Sequence, residues 1–125
     1  MDLDAVTTAA NAVLDALGTG LTESCYQHAL CHELRLRGHV VECEVTIPVK
    51  FKGVHVGAVR ADLLVDYRWI LELKSVAKAT EAHAQQLAAY LRMQTECNGG
   101  TPTEGFLVNY STAGAGVEVR LITAV

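Results

Sequence analysis

The sequence has few of the features that direct a chain to a membrane or to an oxidising compartment. No apolar run approaches the length needed to cross a bilayer, and the segment "MDLDAVTTAANAV" at 1–13 has neither a basic n-region nor an apolar h-region. No C-x-x-C pair occurs, so we expect reduced, partly buried thiols rather than disulfides at Cys25, Cys31, Cys43 and Cys97. These absences predict a cytoplasmic protein that makes no membrane contact.

Positive charge is also scarce. Ten Lys and Arg residues against 14 Asp and Glu residues give a formal net charge of -4. Tight, non-specific binding of long nucleic acid usually needs a basic protein, so the overall charge argues against it. A local basic patch, or an acidic site that needs a cation, stays open. A length of 125 residues with 50% hydrophobic residues predicts one domain, residues 1–125, with its own core.

The order of sequence patterns predicts a mixed α/β sheet. Helices are expected at 3–17, 21–37 and 81–95, and strands at 40–51, 54–67, 69–76, 105–110 and 117–125. Thr80 is a good N-cap for the third helix, and "CNGGTP" at 97–102 should end it. Tight turns make the first three strands an antiparallel meander, and the crossover helix makes the next strand parallel to one of them.

The strand "WILELKSV", residues 69–76, carries two charges in an apolar setting. Alternation puts Glu72 and Lys74 on one face, and a hairpin that turns at 66–68 brings Asp62 opposite position 72. Two carboxylates side by side in a partly apolar place repel each other. A divalent cation removes that repulsion, and carboxylate oxygens are ligands that Mg²⁺ prefers.

Two helices add polar residues to faces that should pack on the sheet. On the second helix, Glu23 falls between Leu30 and Leu34, so its carboxylate is aimed at the sheet rather than at water. The crossover helix carries a line of polar side chains at i, i+3 and i+7: His83, Gln86 and Tyr90.

Several stretches together resemble a known family. "GLTESCY", residues 20–26, fits the G-x-x-E-x-x-Y signature of the GxxExxY proteins, and the likeness continues in order through "ALCHELRLRG", "RADLLV", "ELKSV", "QLAAYL" and "GFLVNY". Those proteins are assigned to the PD-(D/E)XK nuclease superfamily, so the resemblance implies a restriction-endonuclease-like core. Ala61 stands where the superfamily's name has a proline.

The resemblance also implies roles for individual residues. Asp62 would be the D of the motif, and Glu72, Leu73 and Lys74 its E-x-K. Glu23 would be the helix acid, and Gln86 and Tyr90 look like the Q-x-x-x-Y element of exonuclease-type members.

The chemistry implied is metal-assisted phosphodiester hydrolysis, with DNA favoured over RNA as substrate. Asp62, Glu72 and the Leu73 carbonyl would hold Mg²⁺ or Mn²⁺. Lys74 would orient or help deprotonate a water, or stabilise charge on the phosphate. Glu23 would bind the metal through water or bind a second ion, and a further group on the crossover helix, the Gln86 amide, would position the nucleophile or the lysine.

Other interpretations of the same residues stay open. Glu72 and Lys74 alone could be a solvated ion pair, and Glu23 alone could be a first-turn acid favoured by the helix dipole. A non-catalytic module could keep the nuclease fold and bind a protein or nucleic-acid partner. The apolar last strand, 117–125, also allows a homodimer joined at its edge.

Two further groups of residues are candidates for binding a metal ion or phosphate. Three residues on one face of the second helix suggest a zinc site without an evident fourth ligand: Cys25, His28 and His32. Basic residues that could contact phosphates lie near the hairpin ends and after the motif strand: Lys50, Lys52, Arg60, Arg68 and Lys78.

Overall fold

The computed structural model describes residues 1–97 and 104–124, without the side chains of residues 96 and 97. The elements are α1 (Leu3–Leu17), α2 (Glu23–Leu36), β1 (Val41–Phe51), β2 (Val54–Val65), β3 (Trp69–Lys74), α3 (Glu81–Cys97), β4 (Glu104–Tyr110) and β5 (Val117–Thr123). The part of "CNGGTP" from 98 onwards, and Val125 at the predicted end of the last strand, lie outside these ranges. None of the described helices is long and apolar enough to cross a lipid bilayer.

The five strands form one sheet in the order β1-β2-β3-β4-β5. β1, β2 and β3 are antiparallel neighbours, β4 runs parallel to β3, and β5 returns antiparallel to β4. This confirms the predicted meander and the parallel strand after the crossover helix, and with them the mixed α/β fold flanked by helices. β5 is an edge strand, so the edge-to-edge homodimer stays a prediction that this topology permits.

Two apolar cores lie on opposite faces of the sheet. One face is covered by α1 and α2 through buried residues that include Val6, Ala10, Tyr26, Leu30 and Leu34. The other face is covered by α3 through Ala84, Leu87 and Leu91. β3 is buried on both faces, because Leu71 and Leu73 join the first core and Ile70 joins the second. Glu72 therefore shares the α3 side with Ile70.

β3 is shorter than the sequence predicted. It ends at Lys74 instead of continuing to Val76. The side chain of Asn109 forms two hydrogen bonds with the backbone of Val76. Asn109 Oδ1 accepts the Val76 N–H, and Asn109 Nδ2 donates to the Val76 carbonyl, each at 3.1 Å. The chain thus leaves the sheet directly after Lys74, which puts that lysine at the end of a central strand.

Gly105 allows β3 and β4 to approach closely, so we expect Gly105→Ala to destabilise the fold by about 2–3 kcal/mol. A Cβ here would fall well inside van der Waals contact of the Ile70 carbonyl oxygen and 3.3 Å from Leu87 Cδ1. Gly57→Ala is the matched control, because a Cβ there meets no heavy atom within 4 Å. Urea denaturation measures both free energies of unfolding, and equal values for the two variants would contradict the close-approach explanation.

Candidate metal and active site

The strands β2 and β3 stop pairing where two of the predicted ligands lie. Their last paired residues in this direction are Leu63 and Leu71, and Asp62 and Glu72 come next. The Asp62 N–H donates to Glu72 Oε1 at 3.0 Å, and the Leu73 N–H donates to Asp62 Oδ2 at 2.8 Å. The two carboxylates thus lie side by side, each bound to the backbone of the other's strand.

Burial makes this pair of acids hard to ionise together. Glu72 is 3% exposed, and burial, followed by repulsion from Asp62, raises the pKa of Glu72 to about 8. Burial also raises the pKa of Asp62, although the Leu73 N–H and the charge of Lys74 act in the opposite direction. A cation placed beside both carboxylates would relieve the repulsion that these pKa values reflect.

Glu23 and Lys74 border the carboxylate pair. Both side chains are half-buried, Glu23 at the first residue of α2 and Lys74 at the last residue of β3. Burial raises the pKa of Glu23, the positive charge of Lys74 lowers it, and the negative charge of Asp62 raises it. Such mutual effects require that the groups lie near one another. Lys74 also lowers the pKa of Asp62 and of Glu72, so its charge acts on all three acids.

Tyr26 fixes the start of α2 and with it the position of Glu23. Its hydroxyl donates to the Gly18 carbonyl at 2.6 Å and accepts the Leu21 N–H at 3.3 Å. Its ring stacks on Tyr110, with centroids 4.3 Å apart and an angle of 7° between the planes. The aromatic residue of the G-x-x-E-x-x-Y stretch therefore ties the loop before α2 to the sheet.

Of the polar residues predicted to line one face of α3, Tyr90 lies near the carboxylate pair and Gln86 faces solvent. Tyr90 is half-buried, and burial, with the charges of Glu72 and Asp62, raises the pKa of its hydroxyl. Gln86 is exposed, so the prediction that it packs on the sheet is wrong. The reason is the rotation of the helix: Leu87 faces the sheet, and its predecessor lies about 100° further round.

Three residues near the site were missed or left without a role. Gln27, buried on α2, directs its amide Nε2 at the Asp62 carbonyl, 3.5 Å away. Glu44 and Asp62 both fall between the register pairs Cys43–Leu63 and Val45–Ala61 of β1 and β2, and the charge of Glu44 raises the pKa of Asp62. His83 is near enough to lower the pKa of Glu23. The hairpin register could have identified Glu44, and the i+4 step from Glu23 could have identified Gln27.

The His83 ring is held by the first turn of α3. Its Nδ1 accepts the Thr80 N–H at 3.0 Å, while the His83 N–H donates to Thr80 Oγ1 at 3.4 Å. The second bond bears out the predicted N-cap. The first leaves Nε2 as the protonated nitrogen of the neutral ring.

A ready-made cage of three ligands is not formed. Within 1–95 and 104–124, where side chains are described, no three His, Cys, Asp or Glu side chains are gathered so that they could hold a metal ion. This removes the zinc interpretation of Cys25, His28 and His32. It also means that Glu23 does not complete a three-ligand cage with Asp62 and Glu72.

Comparisons with known proteins agree with this architecture. The model of one protein family, described as the PD-(D/E)XK nuclease superfamily, matches residues 2–121. No curated protein and no solved structure matches the chain. The narrower assignment to the GxxExxY proteins stays an interpretation of the motif at 20–26. The match spans nearly the whole sequence, and the chain therefore belongs to the PD-(D/E)XK nuclease superfamily.

Proposed function

We propose that this chain is a metal-dependent nuclease that acts as a single domain and hydrolyses phosphodiester bonds of DNA, which we favour over RNA as the substrate. The observation that carries the proposal is the pair of carboxylates, half-buried Asp62 and buried Glu72, on which the charge of Lys74 acts, in a member of a nuclease superfamily. Burying two acids together costs stability, and a catalytic cation site is the use of that arrangement that this family favours.

The residues present fit a divalent ion. Nucleases of this superfamily generally use divalent metals. Asp62 and Glu72 each use one carboxylate oxygen in the backbone bonds described above, which leaves the other oxygen of each for a cation. With the Leu73 carbonyl they would supply the few oxygen ligands that Mg²⁺ or Mn²⁺ takes from a protein when phosphate and water complete the shell. When bound, such an ion polarises the phosphoryl oxygen and makes water more acidic.

The other side chains then have separate tasks. Lys74 would donate hydrogen bonds to the attacking water or to the phosphate oxygen on which charge develops. Glu23 would accept a hydrogen bond from water on the side of the sheet that α2 covers. From α3, the Tyr90 hydroxyl and the exposed Gln86 amide would contact the substrate or position the lysine.

We expect Mn²⁺ titrated into the wild-type protein to release heat in a calorimeter, and Asp62→Ala to show no measurable binding. Loss of this carboxylate removes one of two side-chain ligands, and second-sphere changes alone already lower metal affinity about 10- to 100-fold. Glu42→Ala is the matched control, since Glu42 is an exposed acid on β1. The same titrations with a short DNA present test whether substrate phosphates are needed to complete the site.

Cleavage assays then decide between activity and simple binding. Wild-type protein with Mg²⁺ or Mn²⁺ should cut at least one of single-stranded DNA, double-stranded DNA and RNA. A folded protein that binds neither ion, with or without oligonucleotide, and cuts none of these would overturn the proposal in favour of a non-catalytic module.

A further inference from the structure

β1 and β2 continue as a two-stranded ribbon beyond the point where β3 stops pairing. The ribbon comprises residues 45–61, with register pairs from Val45 and Ala61 to Phe51 and Val54. In the described part of the chain, β3 pairs with β2 only from residue 63 onwards. The ribbon therefore begins directly beside Asp62 and extends beyond the part of β2 that pairs with β3.

The base of the ribbon is fixed and its far end is exposed. On one side, α3 covers the apolar residues Val45, Ile47, Val59 and Ala61. Every residue from 50 to 58 is exposed. At about 3.3 Å per residue, the distance along β2 from Asp62 to Val54 is about 26 Å. The anchored base means that this exposed end has a defined direction relative to the carboxylate pair.

The charge of the ribbon is opposite to that of the whole protein. Residues 45–61 contain none of the 14 Asp and Glu residues and three of the ten Lys and Arg residues, in a protein of net charge -4. The three are Lys50 and Lys52 near the tip and Arg60 at the base, where it lies 3.9 Å from the Glu44 carboxylate, and a histidine, His55, is paired with Lys50 across the strands. A surface of one sign on a protein of the other sign is the local basic patch that the overall composition left open.

The tip combines those cations with exposed apolar side chains. Phe51, Val54 and Val56 are 61%, 62% and 59% exposed. Lys52 and Gly53 both have positive φ, 50° and 81°, which is the conformation of a tight two-residue hairpin turn. The Lys52 ammonium lies 5.3 Å from the centroid of the Phe51 ring. The tip is thus a narrow, compact end that presents an aromatic ring and positive charge together.

We propose that the ribbon is an arm that enters the major groove of double-stranded DNA and holds the duplex over the carboxylate pair. This rests on the proposed nuclease function and names its substrate form. The major groove of B-DNA admits a two-stranded β-ribbon, whereas the major groove of an RNA duplex is too deep and narrow for side chains to read. A second copy of the chain is a poorer occupant, because two ribbons of the same charge repel.

Duplex binding in EDTA tests the arm without cleavage. Anisotropy of a labelled short duplex, measured at several NaCl concentrations, compares wild type with Lys50→Gln/Lys52→Gln and with a control that removes two cations elsewhere, Arg37→Gln/Arg92→Gln. The ribbon variant should raise Kd about 10-fold or more. The slope of log Kd against log NaCl concentration should fall by about 1.8, since each lost phosphate contact contributes about 0.9 to that slope. The control should change Kd less than about twofold.

Several results would overturn the proposal. One is that the ribbon variant and the control variant weaken binding of duplex DNA equally. Another is that an RNA duplex binds as tightly as a DNA duplex and loses as much affinity in the ribbon variant. A third is a wild-type dimer in sedimentation that Phe51→Ser converts to monomer with unchanged duplex affinity, which would make the ribbon a self-association surface. Circular dichroism of each variant checks that the exposed substitutions leave the fold intact.

Binding and cleavage measurements together distinguish failure of the arm proposal from failure of the nuclease proposal. If wild-type protein binds duplex through the ribbon but cuts nothing with Mg²⁺ or Mn²⁺, the catalytic proposal falls and the arm stands. If it cuts duplex and the ribbon variant keeps the wild-type KM and salt dependence, the arm falls and the nuclease function stands.

Discussion

Lys74→Ala should lower the rate of DNA cleavage about 1,000-fold while the protein still binds metal, because a positioned proton donor contributes about 10²- to 10⁴-fold. The lysine ends a central strand, half-buried, and its charge acts on Glu23, Asp62 and Glu72. Its positive charge lowers the pKa of both carboxylates of the pair, whereas Arg60 lowers that of Asp62. Its ammonium is therefore the group best placed to donate to a water or to a phosphate oxygen at that point.

Metal affinity separates this role from simple loss of the site. Removing a positive charge beside two carboxylates lessens the repulsion of a cation, so Lys74→Ala should bind Mn²⁺ at least as tightly as wild type. Single-turnover cleavage and calorimetry on the same preparations measure the two quantities. Arg92→Ala is the control, because Arg92 is an exposed cation on α3 that has no proposed part in the site. Near wild-type cleavage by Lys74→Ala would remove this residue from the chemistry.

Local patterns were sufficient to predict most of the fold. The apolar period of α1 gave the observed range, Leu3–Leu17, and short turns gave the antiparallel meander. The early end of β3 could not be predicted, because it depends on the Asn109 amide, which binds Val76 from 33 positions further along the chain. A period-2 pattern carries no information about such a distant side chain.

The candidate site was also predicted only where it depends on local sequence. The hairpin register is local, so it predicted that Asp62 and Glu72 are neighbours. The part of α3 in the site depends on how the helix rotates on the sheet, and the sequence pattern did not fix that angle closely enough to show that Gln86 faces solvent. The contact of Gln27 with the Asp62 carbonyl depends on how α2 docks, which is also a tertiary property.

Glu72→Gln should make the metal-free protein more stable at about pH 9, where Glu72 is ionised and buried. The pKa of Glu72 is raised from 4.5 to about 8, so the folded state takes up a proton between these values. The stability gained from that proton is fully present below about pH 4.5 and is lost as the pH rises through about 8. Gln keeps an oxygen that can accept the Asp62 N–H and never ionises. The gain at high pH should be on the order of 5 kcal/mol, since one pKa unit corresponds to about 1.4 kcal/mol.

Urea denaturation in EDTA at several pH values between about 5 and 9 measures this effect. Wild-type stability should fall with rising pH relative to Glu72→Gln, and the two curves should converge near pH 5. Glu42→Gln controls for loss of an exposed acid, and its curve should run parallel to that of wild type. Mg²⁺ should raise the high-pH stability of wild type more than that of Glu72→Gln, because an ionised carboxylate is a stronger ligand for the ion than a neutral amide oxygen. Parallel curves for wild type and Glu72→Gln would mean that this buried glutamate titrates normally, and would withdraw the electrostatic reason for a cation at the site.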